Sequence, residues 1–252
     1  MRIAAISDIH GNLAALDAVL ADIARRGADR TVNLGDIVSG PLEPAETADR
    51  LIALDLPTIG GNHERQLLAV PPEAMGASDA FAAARLSAQQ RGWLAALPID
   101  LQIGEDVLLC HGTPASDLEY FLEHVGPDGA RAATPDEIAA RAGPERAALI
   151  LCGHTHVARA HRRADGGLIV NPGSVGLPAY EDDRPWPHAM ESGSPHARYA
   201  IIERDAAGLW SAELIMVDYD WESAARTAER RGRADWAIAL RTGRMGPSPR
   251  GR

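Results

Sequence analysis

Short apolar runs alternate with helical periodicity over the first sixty residues of the chain. Residues 2–7 form a continuous apolar run, which is typical of a strand buried on both faces. Residues 13–26 repeat apolar positions at helical spacing and stop at a glycine, which predicts a helix. Two further strands and one helix are predicted at 30–34, 57–59 and 44–54. This alternation predicts parallel strands joined by right-handed crossovers.

The remainder of the chain is predicted to complete an α/β domain. Residues 64–97 are alanine-rich and helical in pattern, and residues 221–241 indicate two amphipathic helices. Residues 113–146 resemble an irregular helical insertion, and 173–196 have no clear period and are predicted to form a loop. Further strands are predicted at 99–103, 106–110, 147–152, 157–163, 168–171, 198–204 and 209–217. Without a repeat or a linker, we expect one domain over 1–241 and a flexible tail over 242–252.

The composition is that of a soluble globular protein. The chain has 252 residues, of which 46% are hydrophobic and 24% charged. Its only cysteines, Cys110 and Cys152, make at most one disulfide, so a reducing cytoplasm is the expected location. The N-terminal apolar run is too short for a signal peptide, and no stretch is long enough for a membrane helix.

The charge balance restricts the chemistry that is open to the chain. All 25 basic residues are arginines, and there is no lysine, which excludes Schiff-base catalysis and a phosphate-loop lysine. Phosphate could therefore be bound only by arginine, backbone amides or metal ions. The net charge of −10 argues against a nucleic-acid or anionic-membrane surface, since both usually require a basic face.

Polar residues follow five of the predicted strands at the point where each strand ends. In an open α/β sheet the carboxyl ends of strands form the ligand site, so these residues are expected to converge. Aspartate, histidine and asparagine together suit first-row transition ions better than calcium, and a central carboxylate, Asp36, could bridge two of them. The motifs are Asp8-Ile9-His10, Gly35-Asp36, Gly61-Asn62-His63-Glu64, Cys110-His111-Gly112 and Gly153-His154-Thr155-His156.

This motif series resembles that of the calcineurin-like metallophosphoesterase superfamily. It is most similar to the small bacterial branch of phosphodiesterases and phosphatases, whose motif after the last hairpin also resembles residues 171–175. The resemblance covers about residues 1–217, and it implies an α/β fold in which helices flank a two-sheet β-sandwich. It also implies a metal-dependent phosphoric ester hydrolase acting on small phosphomonoester, phosphodiester or nucleotide substrates.

The resemblance assigns a role to each motif residue. It implies that His63 is not a ligand but faces the substrate as general acid or transition-state stabiliser. Asp36 would bridge the two ions. Asp8, His10 and His156 would bind the first ion, and Asn62, His111 and His154 the second. The cofactor is then a pair of divalent transition-metal ions (Mn, Fe, Zn, Co or Ni), which share a hydroxide that attacks phosphorus in line.

Substrate contacts are sought in the loop that follows these motifs. Residues 176–198 combine aromatic and cationic side chains, and they are expected to cover the metal site. Arg184 and Arg198 are the phosphate-binding candidates, because arginine can bind phosphate with two hydrogen bonds. Tyr180 is a further candidate substrate contact. The partner is therefore expected to be a small phosphorylated substrate, and the oligomeric state is not predicted.

Three alternative functions remain open at this stage. A protein Ser/Thr phosphatase shares the Gly61–Glu64 motif, but such enzymes typically have an Asp-Arg-Gly segment after the bridging aspartate, where this chain has residues 37–41 (IVSGP). A nuclease is disfavoured by the acidic balance. A protein-binding scaffold would have lost metal ligands, whereas every motif position is filled here.

Overall fold

Two β-sheets form the centre of the molecule, which the computed structural model describes over residues 1–246. The first sheet has four strands in the order β13-β12-β1-β2. Its strands are β1 (Arg2–Ile6), β2 (Arg30–Asn33), β12 (Ala197–Arg204) and β13 (Trp210–Val217). β1 runs parallel to β2 and antiparallel to β12, so β1 and β2 end at the same edge.

The second sheet has five strands in the order β3-β4-β7-β9-β8. Its strands are β3 (Asp100–Ile103), β4 (Val107–Cys110), β7 (Leu149–Leu151), β8 (Arg159–Arg162) and β9 (Leu168–Asn171). The three central strands, β4, β7 and β9, are parallel, and β3 and β8 are antiparallel edges. The predicted strand at 57–59 is reduced to one parallel bridge between Asn33 and Thr58.

Both faces of β1 are buried, and this explains why the apolar run at the start of the chain is continuous. Ile3 and Ala5 belong to the core between the two sheets, whereas Ala4 and Ile6 belong to the core between the first sheet and its helices. A strand covered on both faces has no polar side, so its sequence shows no period of two. The two sheets therefore form a sandwich with helices outside, as the family resemblance implied.

Helices cover the outer faces of the sandwich. Two of them coincide with the sequence prediction, and the predicted helical region 64–97 is divided into three helices and a 3₁₀ turn at Pro72–Ala74. The helices are α1 (Leu13–Arg26), α2 (Pro44–Leu54), α3 (Asn62–Ala69), α4 (Ala77–Ala83), α5 (Ala88–Ala95), α6 (Pro135–Ala142), α7 (Trp221–Arg230) and α8 (Ala234–Thr242).

Two segments differ from their sequence prediction. The insertion at 113–146 contains one helix, α6, preceded by a hairpin of β5 (Glu123–Gly126) and β6 (Gly129–Ala132). The predicted loop at 173–196 contains a second hairpin, of β10 (Ala179–Asp182) and β11 (His188–Glu191). α8 ends at Thr242, the first residue of the predicted tail, and residues 247–252 of that prediction lie outside the described residues.

Candidate metal centre

The ends of four parallel strands place the motif residues at one edge of the sandwich. After β1 and β2 the chains remain paired, since Asp8 N–H donates to the Gly35 carbonyl and His10 N–H to that of Asp36, both at 3.0 Å. After β4 and β7, Gly153 N–H donates to the His111 carbonyl at 2.8 Å. The motifs therefore meet because backbone pairing continues past each strand.

A first group of ligand atoms is formed by Asp8, His10 and His156, all buried, with the ligand atoms within 4.8 Å of one another. The Nε2 atoms of His10 and His156 are 3.1 Å apart. His156 Nε2 lies 3.5 Å from Asp8 Oδ1. These distances leave room for one small ion among the three side chains and too little for a further side chain.

The tautomers of the two histidines show what this group fits. His10 Nδ1 donates to the Ser39 carbonyl at 2.7 Å, and His156 Nδ1 donates to the Leu177 carbonyl at 2.6 Å. Since a carbonyl only accepts, both protons of these neutral rings are on Nδ1, and each Nε2 presents a lone pair. Burial lowers the pKa of His10 to about 4 and holds that of His156 well below its usual value, so both rings are neutral. Two lone pairs facing at 3.1 Å repel unless a cation lies between them, and the residues therefore fit a metal ion.

A second group consists of Asp36, His111 and His154, joined by the Asn62 amide. His111 Nδ1 donates to the Leu34 carbonyl at 2.7 Å, and its Nε2 lies 3.1 Å from Asn62 Oδ1 and 3.2 Å from Asp36 Oδ2. His154 is oriented the other way, because its Nε2 donates to the Leu118 carbonyl at 3.1 Å and Nδ1 remains as the ligand atom. The structure thus brings all seven predicted ligands together, while the bridging role of Asp36 stays a prediction.

The charges of the two groups are unbalanced as they stand. Burial raises the pKa of the Asp8 carboxyl to about 7, because the charge of His111 offsets only part of the lost hydration and the charge of Asp36 adds to the rise. Burial would also raise the pKa of Asp36, but the charges of His111 and His63 outweigh it and hold that pKa well below its usual value. Burial lowers the pKa of His154 to about 3. Divalent cations would remove this imbalance, because they neutralise the carboxylates and need neutral imidazole.

The ligand residues also have an unusual backbone. Among the described residues, six other than glycine have positive φ, and five of them are predicted ligands. Those five are Asp8, His10, Asp36, His154 and His156, with φ between 52° and 68°. Left-handed backbone is unfavourable for side chains with a Cβ and clusters at functional sites. The sharp turns it creates direct consecutive motif residues into one site.

His63 lies next to His10 of the first group and Asp36 of the second without belonging to either group. It follows Asn62 in the first turn of α3, its ring centroid lies 5.5 Å from that of His10, and its side chain is 29% exposed. Its Nδ1 donates to Asp79 Oδ1 at 2.8 Å. Burial opposes the charged ring, but the carboxylates of Asp36 and Asp79 outweigh it and raise the pKa of His63 to about 9. Asp79, on α4, belongs to no motif, and sequence reasoning missed it.

Glu64 ties the two loops of the second group together, a role that the sequence analysis did not assign. Its Oε2 accepts from Asp36 N–H at 2.8 Å and from Gly61 N–H at 2.9 Å, and its Oε1 accepts from Ile37 N–H at 2.8 Å. The side chain is 2% exposed. Burial and the charge of Asp36 raise the pKa of Glu64, and the hydrogen bonds offset part of this effect. Its third position in α3, a capping-box position, is the signal that could have identified it.

Gly61 is required by the close approach of the ligands. A Cβ at this position would lie 2.3 Å from Asp36 Oδ1 and 2.8 Å from His111 Cε1. Its φ of −95° is open to any residue, so the requirement is steric rather than conformational. The glycine before Asn62 therefore allows the α3 motif to approach Asp36.

A cavity of about 1260 Å³ opens over both ligand groups. Tyr180 and Arg184 line it, as do Leu118 and Tyr120, which the sequence analysis did not single out. Arg198 is not brought into this cavity. Its side chain is buried, and the guanidinium donates to the Ser192 carbonyl at 3.0 Å and the His196 carbonyl at 3.2 Å. The hairpin β10–β11 carries Tyr180 to the metal centre but not Arg198, which lies in β12 of the first sheet.

The profile of the calcineurin-like phosphoesterase superfamily domain matches residues 1–187. The chain belongs to this superfamily. A curated relative, an uncharacterized protein of Methanocaldococcus jannaschii, is 26% identical and aligns over 93% of this chain and 94% of its own length. The family assignment agrees with the resemblance seen in the sequence motifs.

Solved structures show the same fold. A metallophosphoesterase from Sphaerobacter thermophilus superimposes with a TM-score of 0.72 at 24% identity, covering 95% of this chain and 98% of that one. A hypothetical protein from Pyrococcus horikoshii OT3 gives a TM-score of 0.72 at 21% identity, covering 98% and 99%. The superfamily match ends at residue 187, whereas these two similarities extend over nearly the whole chain. No helix among residues 1–246 is long and apolar enough to cross a bilayer.

Proposed function

We propose that this protein is a dinuclear metal-dependent phosphoesterase that hydrolyses small phosphomonoester, phosphodiester or nucleotide substrates. The observation that carries the proposal is the pair of ligand groups, in the first of which the Nε2 lone pairs of His10 and His156 face one another at 3.1 Å. The superfamily match supports phosphoester chemistry for a site of this composition. Mn, Fe, Zn, Co and Ni all suit these donors, and the availability of the ion usually decides which one is bound.

A pair of divalent ions, when bound, supplies Lewis acidity for the phosphate and an activated water. The residues Asp8, His10 and His156 would hold one ion, and Asn62, His111 and His154 the other, with Asp36 between them. The protein itself must then supply a proton for the leaving oxygen, because an alkoxide is a poor leaving group.

His63 is the residue that we propose as proton donor. Its Nδ1 is occupied by Asp79, so Nε2 is the atom left for the substrate. The two carboxylates that raise its pKa keep the ring protonated at neutral pH, as a general acid requires. Asp79 is a positioning residue in this scheme, since it fixes the ring and its tautomer through one hydrogen bond.

Substrate contacts are proposed from the cavity wall. Arg184 is exposed on the β10–β11 hairpin and lines the cavity, where it can bind a phosphate oxygen. Tyr180 donates from its hydroxyl to the His154 carbonyl at 3.1 Å, and its ring centroid lies 4.6 Å from that of His156. Arg198 is proposed to hold the chain before β12, because its donors are occupied by backbone carbonyls and by Ser194 Oγ.

The test combines metal content with hydrolysis. Metal per chain is measured after purification, and turnover of p-nitrophenyl phosphate and bis(p-nitrophenyl) phosphate is measured with each of the five ions. Asp36→Asn and His63→Ala are expected to lower turnover by at least about a hundredfold. Asp55→Asn is the matched control, because Asp55 also has positive φ, at 48°, but is exposed at the end of α2.

Each outcome has a defined meaning. Two ions per chain and metal-dependent turnover that both variants lose would support the proposal. Bound metal with no turnover of either ester would favour a protein-binding scaffold instead. Unchanged turnover in both variants would contradict the assigned roles of Asp36 and His63.

A further inference from the structure

The connection between β4 and β5 forms a closely packed wall beside the second ligand group. We call residues 113–120 of this connection the 113–120 segment. In it, Thr113 N–H donates to the Ser116 carbonyl at 2.8 Å, and Ser116 Oγ accepts from Leu118 N–H and Glu119 N–H. A Cβ at Gly112 would lie 2.5 Å from the Ser116 carbonyl oxygen. The segment is therefore a hydrogen-bonded turn that packs against the end of β4.

Hydrogen bonds fix this segment to residues that hold or flank the ligands. Arg65 of α3 forms two hydrogen bonds with Asp117, at 2.6 and 2.9 Å, and α3 begins with Asn62. The Leu118 carbonyl accepts from His154 Nε2 at 3.1 Å and so fixes that imidazole. Hydrogen bonds on two sides thus fix the position of the 113–120 segment relative to the metal centre.

Tyr120 presents its ring to this part of the site while its hydroxyl is engaged elsewhere. Its ring centroid lies 5.0 Å from that of His154 in an edge-on contact. His188 Nδ1 donates to the Trp186 carbonyl, so its Nε2 accepts from the Tyr120 hydroxyl at 3.0 Å. The Tyr180 hydroxyl lies 2.6 Å from that of Tyr120. Because the hydroxyl is bound by the β10–β11 hairpin, the aromatic ring is what Tyr120 offers to the cavity.

Leu118 is apolar and exposed at the same place. Its side chain lines the cavity and is 52% exposed, although its carbonyl is bound to a predicted metal ligand. The exposed half of this leucine contributes no burial free energy to the fold, but it gains free energy when an apolar group covers it. Because the Leu118 carbonyl binds His154, this gain would arise beside the second ligand group.

The charged groups of the cavity argue against recognition of a second phosphate. Arg233 is paired with Asp235 at 2.7 Å, and Arg141 donates to the Phe121 and Glu123 carbonyls. These two guanidinium groups already have protein acceptors, and the third arginine of the cavity wall, Arg184, is the one proposed for the substrate phosphate. The carboxylates of Glu119, Glu181 and Asp182 also line the cavity, and they would repel additional anionic groups.

We infer that Leu118 and Tyr120 determine substrate specificity by binding an apolar, preferably aromatic, organic group esterified to the phosphate. This inference rests on the proposed phosphoesterase function and names its substrate class. The side chains of the 113–120 segment supply the contact surface, and the segment's hydrogen bonds to Arg65 and His154 set its distance from the metal centre.

The test compares two phosphonates whose carbon–phosphorus bonds are not cleaved by ester hydrolysis. Dissociation constants of phenylphosphonate and methylphosphonate are measured by calorimetry on protein loaded with Mn²⁺. We expect phenylphosphonate to bind at least about fivefold more tightly, the scale of partly burying one leucine and one ring edge. Leu118→Ala should reduce this preference to about twofold or less, with the methylphosphonate constant unchanged.

Two further variants and a control separate the side-chain contact from other effects. Leu118→Phe should restore or increase the preference, and Tyr120→Phe should keep it, because the ring remains. Leu209→Ala is the matched control, since Leu209 is 58% exposed and is not part of the cavity wall. Bound manganese is measured in each variant to show that His154 still binds it.

The possible failures are distinguishable. If neither phosphonate binds the metal-loaded protein, the proposed function and this inference both fall. Equal binding of the two phosphonates by the unmodified protein would overturn the inference alone. The inference would also be overturned if Leu118→Ala weakened the binding of both phosphonates equally, because the 113–120 segment would then act only through His154.

Discussion

Glu64→Gln tests whether one buried carboxylate holds the loops of the second ligand group together. Glutamine has nearly the same shape, but only one of its two terminal atoms accepts hydrogen bonds. If the amide oxygen takes the position of Oε2, it retains the hydrogen bonds from the N–H groups of Asp36 and Gly61. The amide nitrogen then meets the Ile37 N–H, which Oε1 binds at 2.8 Å in the unmodified protein.

The size of the effect follows from these contacts. One hydrogen bond to a charged acceptor is lost, and a buried N–H is left without a partner, which together cost about 3 kcal/mol. With a urea dependence of about 3 kcal/mol/M, the unfolding midpoint should fall by about 1 M. Because Asp36 and Asn62 lie on the loops that Glu64 joins, manganese affinity should also fall by about 10- to 100-fold.

The assay is urea unfolding of the chelator-treated protein, followed by manganese titration of the folded variant. Glu137→Gln is the matched control, because Glu137 is also the third residue of a capped helix, α6, and accepts from Thr134 N–H at 2.7 Å. Glu137 is accessible to water, so its variant should shift the midpoint far less. A Glu64→Gln variant that is as stable as Glu137→Gln and binds manganese normally would refute the reasoning.

Three further predictions concern the same site. Gly61→Ala should abolish tight manganese binding in titration calorimetry, because its Cβ would overlap Asp36 Oδ1 at 2.3 Å. Gly92→Ala in α5 is the control: a Cβ there meets nothing within 4 Å, so the manganese affinity should be unchanged. Manganese at a hundredfold excess over its Kd should stabilise the folded chain by about 2.7 kcal/mol for each bound ion, and chelation should remove this gain in a thermal melt. Asp79→Asn should lower kcat by about tenfold with KM unchanged, because only the proton donor is disturbed; a changed KM with normal kcat would contradict a positioning role.

Local patterns predicted the elements that depend on local physics. The bounds of α1 and α2 were predicted correctly because each has an apolar stripe and an end signal of its own, a glycine after α1 and a proline at the start of α2. The hairpin β10–β11 was missed because its strands have four residues each and pair only with each other. Its register depends on packing, including Ala179 in the core beside α8, which no local pattern reveals.

The candidate site was predictable to the extent that it consists of strand ends. Four of the predicted ligands lie within three residues after the end of a parallel strand, and this topology alone makes them converge: Asp8, Asp36, His111 and His154. Asp79 could not be predicted, because it lies on a separate short helix that reaches His63 only through the packing of α4 on α3. The same holds for residues of the 113–120 segment, whose place depends on Arg65 and His154.

The left-handed backbone at five predicted ligands has a consequence for how lineages of this fold change over time. Each such residue costs the folded chain roughly 1 kcal/mol, and glycine at the same position would avoid that cost. Selection for metal binding therefore works against selection for stability at these positions. A descendant released from catalysis would become more stable by accepting glycine at positions 8, 10, 36, 154 or 156. Loss of activity in such a lineage should thus begin at the ligands themselves and leave the sandwich intact.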